Sequence, residues 1–534
     1  MFDHVSAHPL LGSKFKPPAT CGHKNLHHTT TLTQAKWGSG ENKKRIFFVI
    51  YHAGSFVICQ KNVNFRPKYT NKFTIMSKQS LFALLLTLLC APVVALAQTD
   101  DIPIFDWEID RTPKALEAFA QGAPSSHNML VHRTALTPYP TREEALAGGT
   151  ESSLVVELDK WQVDSLADGA VKYTTRFKRN YRHDDTQLIL RVEGAGGAVS
   201  VEVNDSEVGY TSSGRGRSEF DLTKKLHENY NTISIVVHTS YRSRALEAGR
   251  KASPTFSRAV LLTPPRVAIS DYTAATTFNH TGEGLLNLGV VMQSYLLNSK
   301  TYEVGYELID DGGKILASAT KELNTGMLSR DTVSFFARIP AVKKWDHKEP
   351  NLYTLMLFTR HERRPKEFTS VPIGFRTVEF SEEGKVVING EAPLLHPVEA
   401  EWCGDAQTTE QHLRELRSRG YNTIYVPAMQ PDEFYTLCDR IGLYVRDQAD
   451  IDCTGADRTN TPSNNPEWKG LFSERIMEMY HSAKNHPSVV MFSLARNAQN
   501  GICLYESYLQ MKSLKGESRP MIYPEAAGEW NSDL

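Results

Sequence analysis

The chain has 534 residues, of which 40% are hydrophobic and 23% charged, as in a soluble globular protein large enough for three or four domains. Residues 1–75 carry eleven Lys/Arg against two Asp/Glu, whereas the sequence from Gln98 onward has 48 basic and 59 acidic residues, a net charge of −11. An acidic mature chain offers no electrostatic basis for nucleic-acid binding, so we expect no such partner.

A secretory signal peptide is predicted at residues 76–97. Lys78 precedes a short apolar core at 81–90, and Ala95-Leu96-Ala97 forms a small-x-small cleavage site before Gln98. A transmembrane anchor is the alternative, but the apolar run is shorter than the ~20 residues that a span needs. Bulky Leu89 argues against a lipoprotein site at Cys90. We therefore expect an exported protein, periplasmic or at the cell surface, whose mature part has no transmembrane helix.

Because a signal peptide starts a chain, we interpret residues 1–75 as translated upstream sequence, with a real disordered extension as the alternative. Four cysteines follow the predicted cleavage site, and their spacing does not resemble a zinc site. We expect free thiols; the alternative is a disulfide between Cys403 and Cys453, which both follow predicted strands.

Residues 98–265 and 266–376 both predict antiparallel β-sandwiches. In the first region Val199, Val201 and Val203 alternate with polar residues, the period of a half-buried strand. In the second, residues 302–308 alternate in the same way, and Asp310-Asp311-Gly312-Gly313 predicts a hairpin turn. The frequent turns and short strands favour two successive sandwich domains.

From residue 377 to 534 the pattern changes to strands that alternate with helices, which predicts part of a (β/α) barrel. Strands are expected at 394–398, 422–426, 443–446, 489–494 and 521–523, and helices at 408–419, 432–441 and 467–484. Thr408 and Gln411 form a possible capping box for the first helix. A full barrel has eight units, and this sequence supplies about five.

Motifs in all three regions resemble glycoside hydrolase family 2, the β-galactosidase and β-glucuronidase family. They are Val203–Tyr210 with Ser218–Leu222, Glu349–Tyr353, Gly374–Arg376, and Lys484–Gly501, which contains Asn485-His486-Pro487-Ser488-Val489. The resemblance implies a jelly-roll sugar-binding-like domain, an immunoglobulin-like sandwich and the front of a TIM-type barrel that hydrolyses O-glycosyl bonds. Buried Trp345 and Tyr353 are interpreted as core residues of the second domain.

The resemblance also implies that the catalytic positions are altered. Ala495, Arg496 and Asn497 stand where the family has Gly, Asn and its catalytic acid/base Glu. A carboxamide has no proton to give near neutral pH, so Asn497 cannot act as that acid. The family's nucleophile comes from a strand beyond Leu534, and we interpret Glu525 and Glu529 as solvated tail residues. We expect no intact catalytic residue.

Supporting positions differ as well. In β-galactosidases of the family, a Glu and a His after the third strand help to hold Mg²⁺; here Asp452 alone keeps a carboxylate, so no metal site and no cofactor are expected. The family's loop before the last jelly-roll strand carries an Asp and a Trp and reaches the active site. Here that loop, residues 247–253, is shorter and has neither.

Three functional hypotheses remain open. The first is an exported pseudoenzyme that binds carbohydrate or serves in an assembly, with Trp402, Glu401, Tyr425 and Asp452 lining a remodelled mouth. The second is an active exo-β-glycosidase that is complete only in a longer parent chain and uses a displaced carboxylate. The third is a truncated product without function. We expect as partners a glycan, or else another protein or a second copy of this chain at the open barrel edge.

Overall fold

The computed structural model describes residues 32–35, 45–52, 55–62, 119 and 126–533, without 150–151, 181–182, 184, 382 and 527–531. The predicted signal peptide at 76–97 lies outside the described residues. Strands β1 (Leu32–Ala35), β2 (Arg45–His52) and β3 (Ser55–Asn62) form an antiparallel sheet in that order. No helix in the described ranges is long and apolar enough to cross a membrane.

The first sandwich consists of two antiparallel sheets. Their orders are β4-β10-β9-β12-β7-β6 and β11-β8-β13-β5. The strands are β4 (Ser126–His127), β5 (Val155–Glu157), β6 (Gln162–Ser165), β7 (Val171–Arg179), β8 (Ile189–Glu193), β9 (Ala198–Val203), β10 (Ser206–Thr211), β11 (Arg217–Asp221), β12 (Asn229–His238) and β13 (Arg258–Leu262). Val199, Val201 and Val203 lie in the core between the sheets, as their alternation predicts.

The second sandwich packs β14-β15-β18 against β17-β16-β19-β20. These strands are β14 (Val267–Phe278), β15 (Gly284–Ser294), β16 (Lys300–Ile309), β17 (Ile315–Thr325), β18 (Arg330–Ile339), β19 (Tyr353–His361) and β20 (Arg364–Ile373), and helix α1 (Arg142–Ala147) packs against β20. Trp345 is fully buried, and its indole Nε1 donates to the Asp439 carbonyl at 2.9 Å. The indole therefore fixes this domain to the next one.

The third region is an open parallel sheet with helices on one side. After the hairpin β21 (Val378–Phe380) and β22 (Val386–Ile388), five strands lie side by side in chain order: β23 (Pro397–Glu399), β24 (Thr423–Tyr425), β25 (Tyr444–Gln448), β26 (Val489–Ser493) and β27 (Met521–Ile522). The helices are α2 (Ala406–Ser418), α3 (Asp432–Ile441), α4 (Lys469–Ala483) and α5 (Ile502–Lys512). The fold class predicted from the sequence, two β-sandwiches followed by a partial TIM-type barrel, is confirmed.

Short 3₁₀ turns complete the described secondary structure, at Arg242–Leu246, Pro462–Asn464, Pro466–Trp468 and Pro524–Ala526. Helix α2 begins two residues before its predicted start because Asp405, not Thr408, is its N-cap; the Asp405 carboxylate accepts from the Thr408 backbone N–H at 2.8 Å. The predicted capping box at Thr408 is therefore wrong. Helix α5 is not among the elements predicted from the sequence.

The Asn485-His486-Pro487 motif holds the domains together. The Asn485 side-chain amide donates to Thr134 Oγ1 and to the Tyr272 carbonyl, both at 3.0 Å, and so joins the barrel region to the two sandwiches. His486 Nδ1 lies 2.7 Å from the buried Asp439 carboxylate on α3, which also accepts from the Ser488 N–H at 2.9 Å. This motif is structural, and it positions β26 and the loop that follows.

Candidate functional site

The candidate site lies at the carboxyl ends of the five parallel strands, where the loops of a β/α barrel collect their functional side chains. We call this region the mouth and define it by the loops that follow the strands: residues 400–405, 426–431, 449–456, 494–501 and 523–526. The end residues of the strands border it. All five loops contain described polar residues.

Asn497 lies at the centre of a hydrogen-bond network. Its side-chain Nδ2 donates to Asp452 Oδ1 and to Thr454 Oγ1, both at 2.9 Å. Its backbone N–H donates to Glu525 Oε1 at 2.7 Å. The Asn497 backbone is left-handed, with φ of 56°, a conformation that Asn tolerates better than most residues. The residue is thus fixed by two carboxylates, one on each side.

Arg496 points toward the first strand of the sheet. Its Nη1 lies 3.2 Å from Glu399 Oε2, and both side chains are partly exposed. Arg496 directly precedes Asn497 in the sequence. The structure pairs Arg496 with Glu399, and the carboxylates that contact Asn497 come from Asp452 and Glu525.

Asp452 is 6% exposed and is held from both sides of the mouth. Its backbone N–H donates to the Leu246 carbonyl at 2.7 Å, and its carbonyl accepts from Gly249 N–H at 3.3 Å. The carboxylate oxygen that accepts from Asn497 also accepts from the backbone and hydroxyl of Thr454. Asp452 is therefore a buried bridge between loops rather than a free polar side chain.

These residues do not fit the Mg²⁺ site that the family resemblance implies. Mg²⁺ takes oxygen ligands in near-ideal octahedral geometry, but Asn497 presents its amide N–H groups to Asp452 and Thr454. In the described part of the chain, no three His, Cys, Asp or Glu side chains come together as they would around a metal ion.

The jelly-roll loop 247–253 reaches the mouth although it lacks the Asp and Trp of the family pattern. Arg250 forms an ion pair with Asp450 and donates to the Pro427 carbonyl. Behind it, the fully buried Arg475 lies 2.7 Å from Glu247 and 3.3 Å from Asp450. Burial lowers the pKa of Arg475, but Glu247 and Asp450 outweigh it and raise that pKa overall.

The predicted aromatic residues have different neighbours. Trp402 is half-buried, packs against the core between sheet and helices, and donates its backbone N–H to Gln430 Oε1 at 2.8 Å. Glu401 beside it is exposed. Tyr425 ends β24, and the Arg446 guanidinium carbon lies 3.6 Å from the centre of its ring. One face of Tyr425 is therefore occupied by a side chain of this protein.

Two mouth residues were missed by the sequence analysis. Glu525 is exposed, as expected of a tail residue, but its carboxylate contacts Asn497 rather than solvent alone. Its position directly after a predicted fifth strand was the available signal. Arg446 follows the apolar pair Tyr444-Val445 in β25, and a charged residue in a predicted barrel strand was a further signal. Cys403, Cys438, Cys453 and Cys503 are free thiols; Cys403 is exposed and Cys453 buried.

Two family models match the chain. The model for glycosyl hydrolases family 2, TIM barrel domain, matches residues 408–533, and the model for glycosyl hydrolases family 2 matches residues 267–376. A β-galactosidase of Priestia megaterium is 27% identical over 352 residues, which are 62% of this chain and 34% of the relative. The chain thus spans about a third of the length of that curated relative.

Solved structures share the fold. A glycosyl hydrolase family 2 member from Bacteroides cellulosilyticus is similar with a TM-score of 0.58 and 17% identity, over 66% of this chain and 49% of that one. The β-glucuronidase of Parabacteroides merdae has a TM-score of 0.56 and 18% identity, over 67% of this chain and 50% of that one. At this identity the likeness shows the fold alone.

Proposed function

We propose, for a chain that belongs to glycoside hydrolase family 2, a non-catalytic role: it binds carbohydrate at the mouth of its partial barrel. The observation that carries this proposal is Asn497, which stands at the position of the family's acid/base Glu. Its amide is bonded to Asp452 and Thr454, and such a group has no proton to give to a leaving oxygen.

The buried carboxylate of Asp452 does not replace that acid. A retaining glycosidase needs two carboxyl groups about 5–5.5 Å apart, one of which is protonated when it acts. Asp452 accepts hydrogen bonds from Asn497 and from Thr454, so its carboxylate is engaged as an acceptor within the loops of the mouth. Asp452 is suited to holding the loops in place and not to proton donation.

Carbohydrate binding would use the exposed edge of the mouth. We assign Trp402 to stacking against a sugar ring, Glu401 to accepting sugar hydroxyl groups, Tyr425 to the floor below them, and Asp452 to holding the surrounding loops. Aromatic rings give a sugar a large apolar contact at a fixed position, and a carboxylate gives strong hydrogen bonds.

Substitution of Trp402 tests this assignment. Trp402→Ala should weaken glycan binding by about 1 kcal/mol or more, measured by titration calorimetry against ligands found on a glycan array. Trp161→Ala is the matched control, because Trp161 is also half-buried but packs on Tyr173 and Phe256 in the jelly-roll. Equal loss in both variants, or no glycan binding at all, would contradict a site at the mouth.

Hydrolysis is the second readout. The purified protein should not cleave nitrophenyl β-galactoside or β-glucuronide above the rate of a preparation from an empty vector. General acid catalysis is worth about 10²–10⁴-fold for an unactivated leaving group, whereas nitrophenolate leaves with little protonation, so unactivated methyl β-glycosides are assayed alongside the nitrophenyl substrates. Robust turnover would overturn the non-catalytic proposal.

An active exo-β-glycosidase is the second candidate function, and one observation favours it. Glu525 places an exposed carboxylate 2.7 Å from the Asn497 backbone nitrogen, close to the position where the family has its acid. If the protein does hydrolyse a β-glycoside, Glu525→Gln should abolish that activity, whereas Glu506→Gln on the outside of α5 should leave it unchanged.

Export and independence from metal complete the proposal. The segment 76–97 has the pattern of a signal peptide, so the exported protein should begin at or near Gln98 when its intact mass is measured. A mature chain beginning at Met1 would contradict export.

Glycan affinity should be the same with and without EDTA, because the mouth does not offer a Mg²⁺ ligand set.

A further inference from the structure

A cavity lies at the amino ends of the parallel strands, at the opposite end of the sheet from the mouth. Its volume is about 580 Å³, within the range of about 300–1,000 Å³ that small-molecule sites occupy. Residues of three segments line it: 344–348 in the second sandwich, 388–396 between β22 and β23, and 417–422 after the main part of α2. Along β25 the chain rises about 13 Å from Tyr444 at the cavity to Gln448 at the mouth, so the two sites are separate.

Hydrogen bonds hold the walls of this cavity in place. The Asn389 side-chain Nδ2 donates to the Trp345 carbonyl at 3.0 Å and joins the connection between β22 and β23 to the second sandwich. Arg417 Nη2 donates to the His347 carbonyl at 2.8 Å, and His347 Nδ1 lies 3.0 Å from the Tyr444 hydroxyl. Because the walls are fixed beforehand, a ligand that enters the cavity pays little for ordering them.

The lining carries both charges in nearly equal number. Its lysine, arginine, aspartate and glutamate residues are Lys344, Lys348, Arg417, Asp346 and Glu391. A cleft lined by one sign of charge attracts ions of the other sign, and this near balance favours an uncharged ligand instead. A hydroxyl group donates one hydrogen bond and accepts two, so a molecule with many hydroxyl groups can use ammonium donors and carboxylate acceptors together.

Several of these polar side chains are available to a ligand. Among the residues that the structure describes, the side chains of Lys348, Glu391 and His396 form no hydrogen bond or ion pair, and all three are exposed at the cavity. The half-buried ring of Tyr421 is also part of the lining. An aromatic ring beside free donors and acceptors is a combination that suits a sugar, whose ring has apolar C–H groups as well as hydroxyls.

We propose that this cavity is a second binding site and that its ligand is a neutral oligosaccharide. Lys348 donates to hydroxyl groups of the ligand, Glu391 accepts from them, and the Tyr421 ring contacts a sugar ring. The cavity and the mouth have no residue in common, so this inference does not depend on the function proposed for the mouth.

The test is titration calorimetry of the full chain with three neutral disaccharides: lactose, cellobiose and maltose. Trp402→Ala removes the ring assigned to stacking at the mouth, and in this variant at least one disaccharide should still bind, with one equivalent per chain. Adding Lys348→Ala or Glu391→Ala should weaken that binding about ten-fold, the scale of a lost hydrogen bond to a charged group.

Lys343→Ala and Glu383→Ala are the matched controls. Lys343 is next to the cavity-lining Lys344 but pairs with Asp311 at 3.1 Å, and Glu383 pairs with Lys385 at 2.8 Å. Neither lines the cavity, so both variants should keep the disaccharide affinity within about two-fold. Equal losses in the controls and in the cavity variants would contradict a site in the cavity.

The remaining outcomes separate the two sites and the ligand classes. If Trp402→Ala abolishes disaccharide binding while Lys348→Ala and Glu391→Ala change nothing, the proposed function stands and the cavity site is wrong. Citrate tests the alternative of an anionic ligand: citrate binding tighter than that of any disaccharide, weakened by Lys348→Ala and strengthened by Glu391→Ala, would overturn the neutral ligand class. Absence of binding by all three disaccharides would also refute the inference.

Discussion

At the scale of single residues, Asn497 is decisive for catalysis because it occupies the position of the family's acid. Three hydrogen bonds fix it in a left-handed backbone conformation. An introduced glutamate would lie beside Asp452 in place of the amide that now donates to it. Arg496 does not compensate such a carboxylate, because it is engaged with Glu399. A neighbouring like charge raises a carboxyl pKa and costs stability.

Asn497→Glu should therefore fail to create a glycosidase and should lower the free energy of unfolding by about 1–3 kcal/mol. Urea denaturation and hydrolysis of an unactivated β-galactoside, whose leaving group needs the acid, measure the two effects. Asn497→Asp, which adds the charge without added length, separates the electrostatic cost from the steric one. Measurable hydrolysis by the Glu variant, above that of the Asp variant, would show that only the acid was missing.

His486 gives a pH dependence at the same scale. Burial alone would lower its pKa, but Asp439 at 2.7 Å and Asp432 at 3.4 Å outweigh burial and raise the pKa of His486 to about 10. The folded pKa thus lies above the unfolded value of about 6.5. The stabilisation is complete below pH 6.5 and is lost as the pH rises toward 10.

The free energy of unfolding should accordingly fall between pH 6.5 and 10, as measured by urea denaturation at several pH values. His486→Gln should flatten that fall and cost about 3 kcal/mol at pH 6.5, because it leaves two aspartates without their cation. His396→Gln, at an exposed position, should reproduce the wild-type profile. A steep alkaline loss that persists in His486→Gln would place its origin elsewhere.

At the scale of elements, two glycines differ in their surroundings. Gly249 packs against the mouth, whereas Gly470 lies on an open surface of helix α4. A Cβ added at Gly249 would come within 2.1 Å of the Asp452 carboxylate, which is short and fixed by other bonds. A Cβ at Gly470, inside α4, would have nothing within 4 Å. The same change, Gly to Ala, should thus have opposite effects at the two positions.

Gly249→Ala should lower the free energy of unfolding by about 1–3 kcal/mol, the range of an overpacked site, and should weaken any ligand binding at the mouth. Gly470→Ala should raise it by about 0.5 kcal/mol, because Gly470 lies in the first turn of α4 and alanine has a higher helix propensity than glycine. Thermal and urea unfolding measure both. Equal effects in the two variants would mean that the loop 247–253 does not pack on Asp452 as described.

The elements were predictable wherever local signals agreed. Helix α3 has the predicted bounds because Pro431 precedes it and Gly442 ends it in the left-handed conformation that glycine favours. The mouth was less predictable, since its contacts join distant parts of the chain. Arg250 forms an ion pair with Asp450, and Arg446 contacts the Tyr425 ring because the register of two neighbouring strands places them side by side. Neither the local sequence pattern nor the composition encodes such contacts. Asn497 was identified from its motif, but its partners were not.

At the scale of the whole molecule, the open sheet leaves backbone groups for pairing. Among the described residues, the outer edge of β23 has no strand beside it, and Leu394 just before it is 75% exposed. An unpaired edge next to an exposed apolar side chain is a site of association between copies. The opposite edge differs, because the Asp533 backbone N–H donates to the Met521 carbonyl at 3.0 Å and its carboxylate accepts from Met521 N–H at 2.7 Å.

Self-association should therefore proceed through the β23 edge, and a charge placed there should oppose it. Leu394→Lys should lower the weight-average mass measured by light scattering at high protein concentration, since edge lysines prevent strand pairing. Leu297→Lys is the matched control: Leu297 is 73% exposed but follows β15 in the second sandwich, far from the parallel sheet in sequence. If exposed leucines promoted only non-specific hydrophobic association, the two variants would lower the mass equally. A monomer at all concentrations in the wild type would mean that the β23 edge is not available for pairing, whereas an effect confined to Leu394→Lys would assign the contact to that edge.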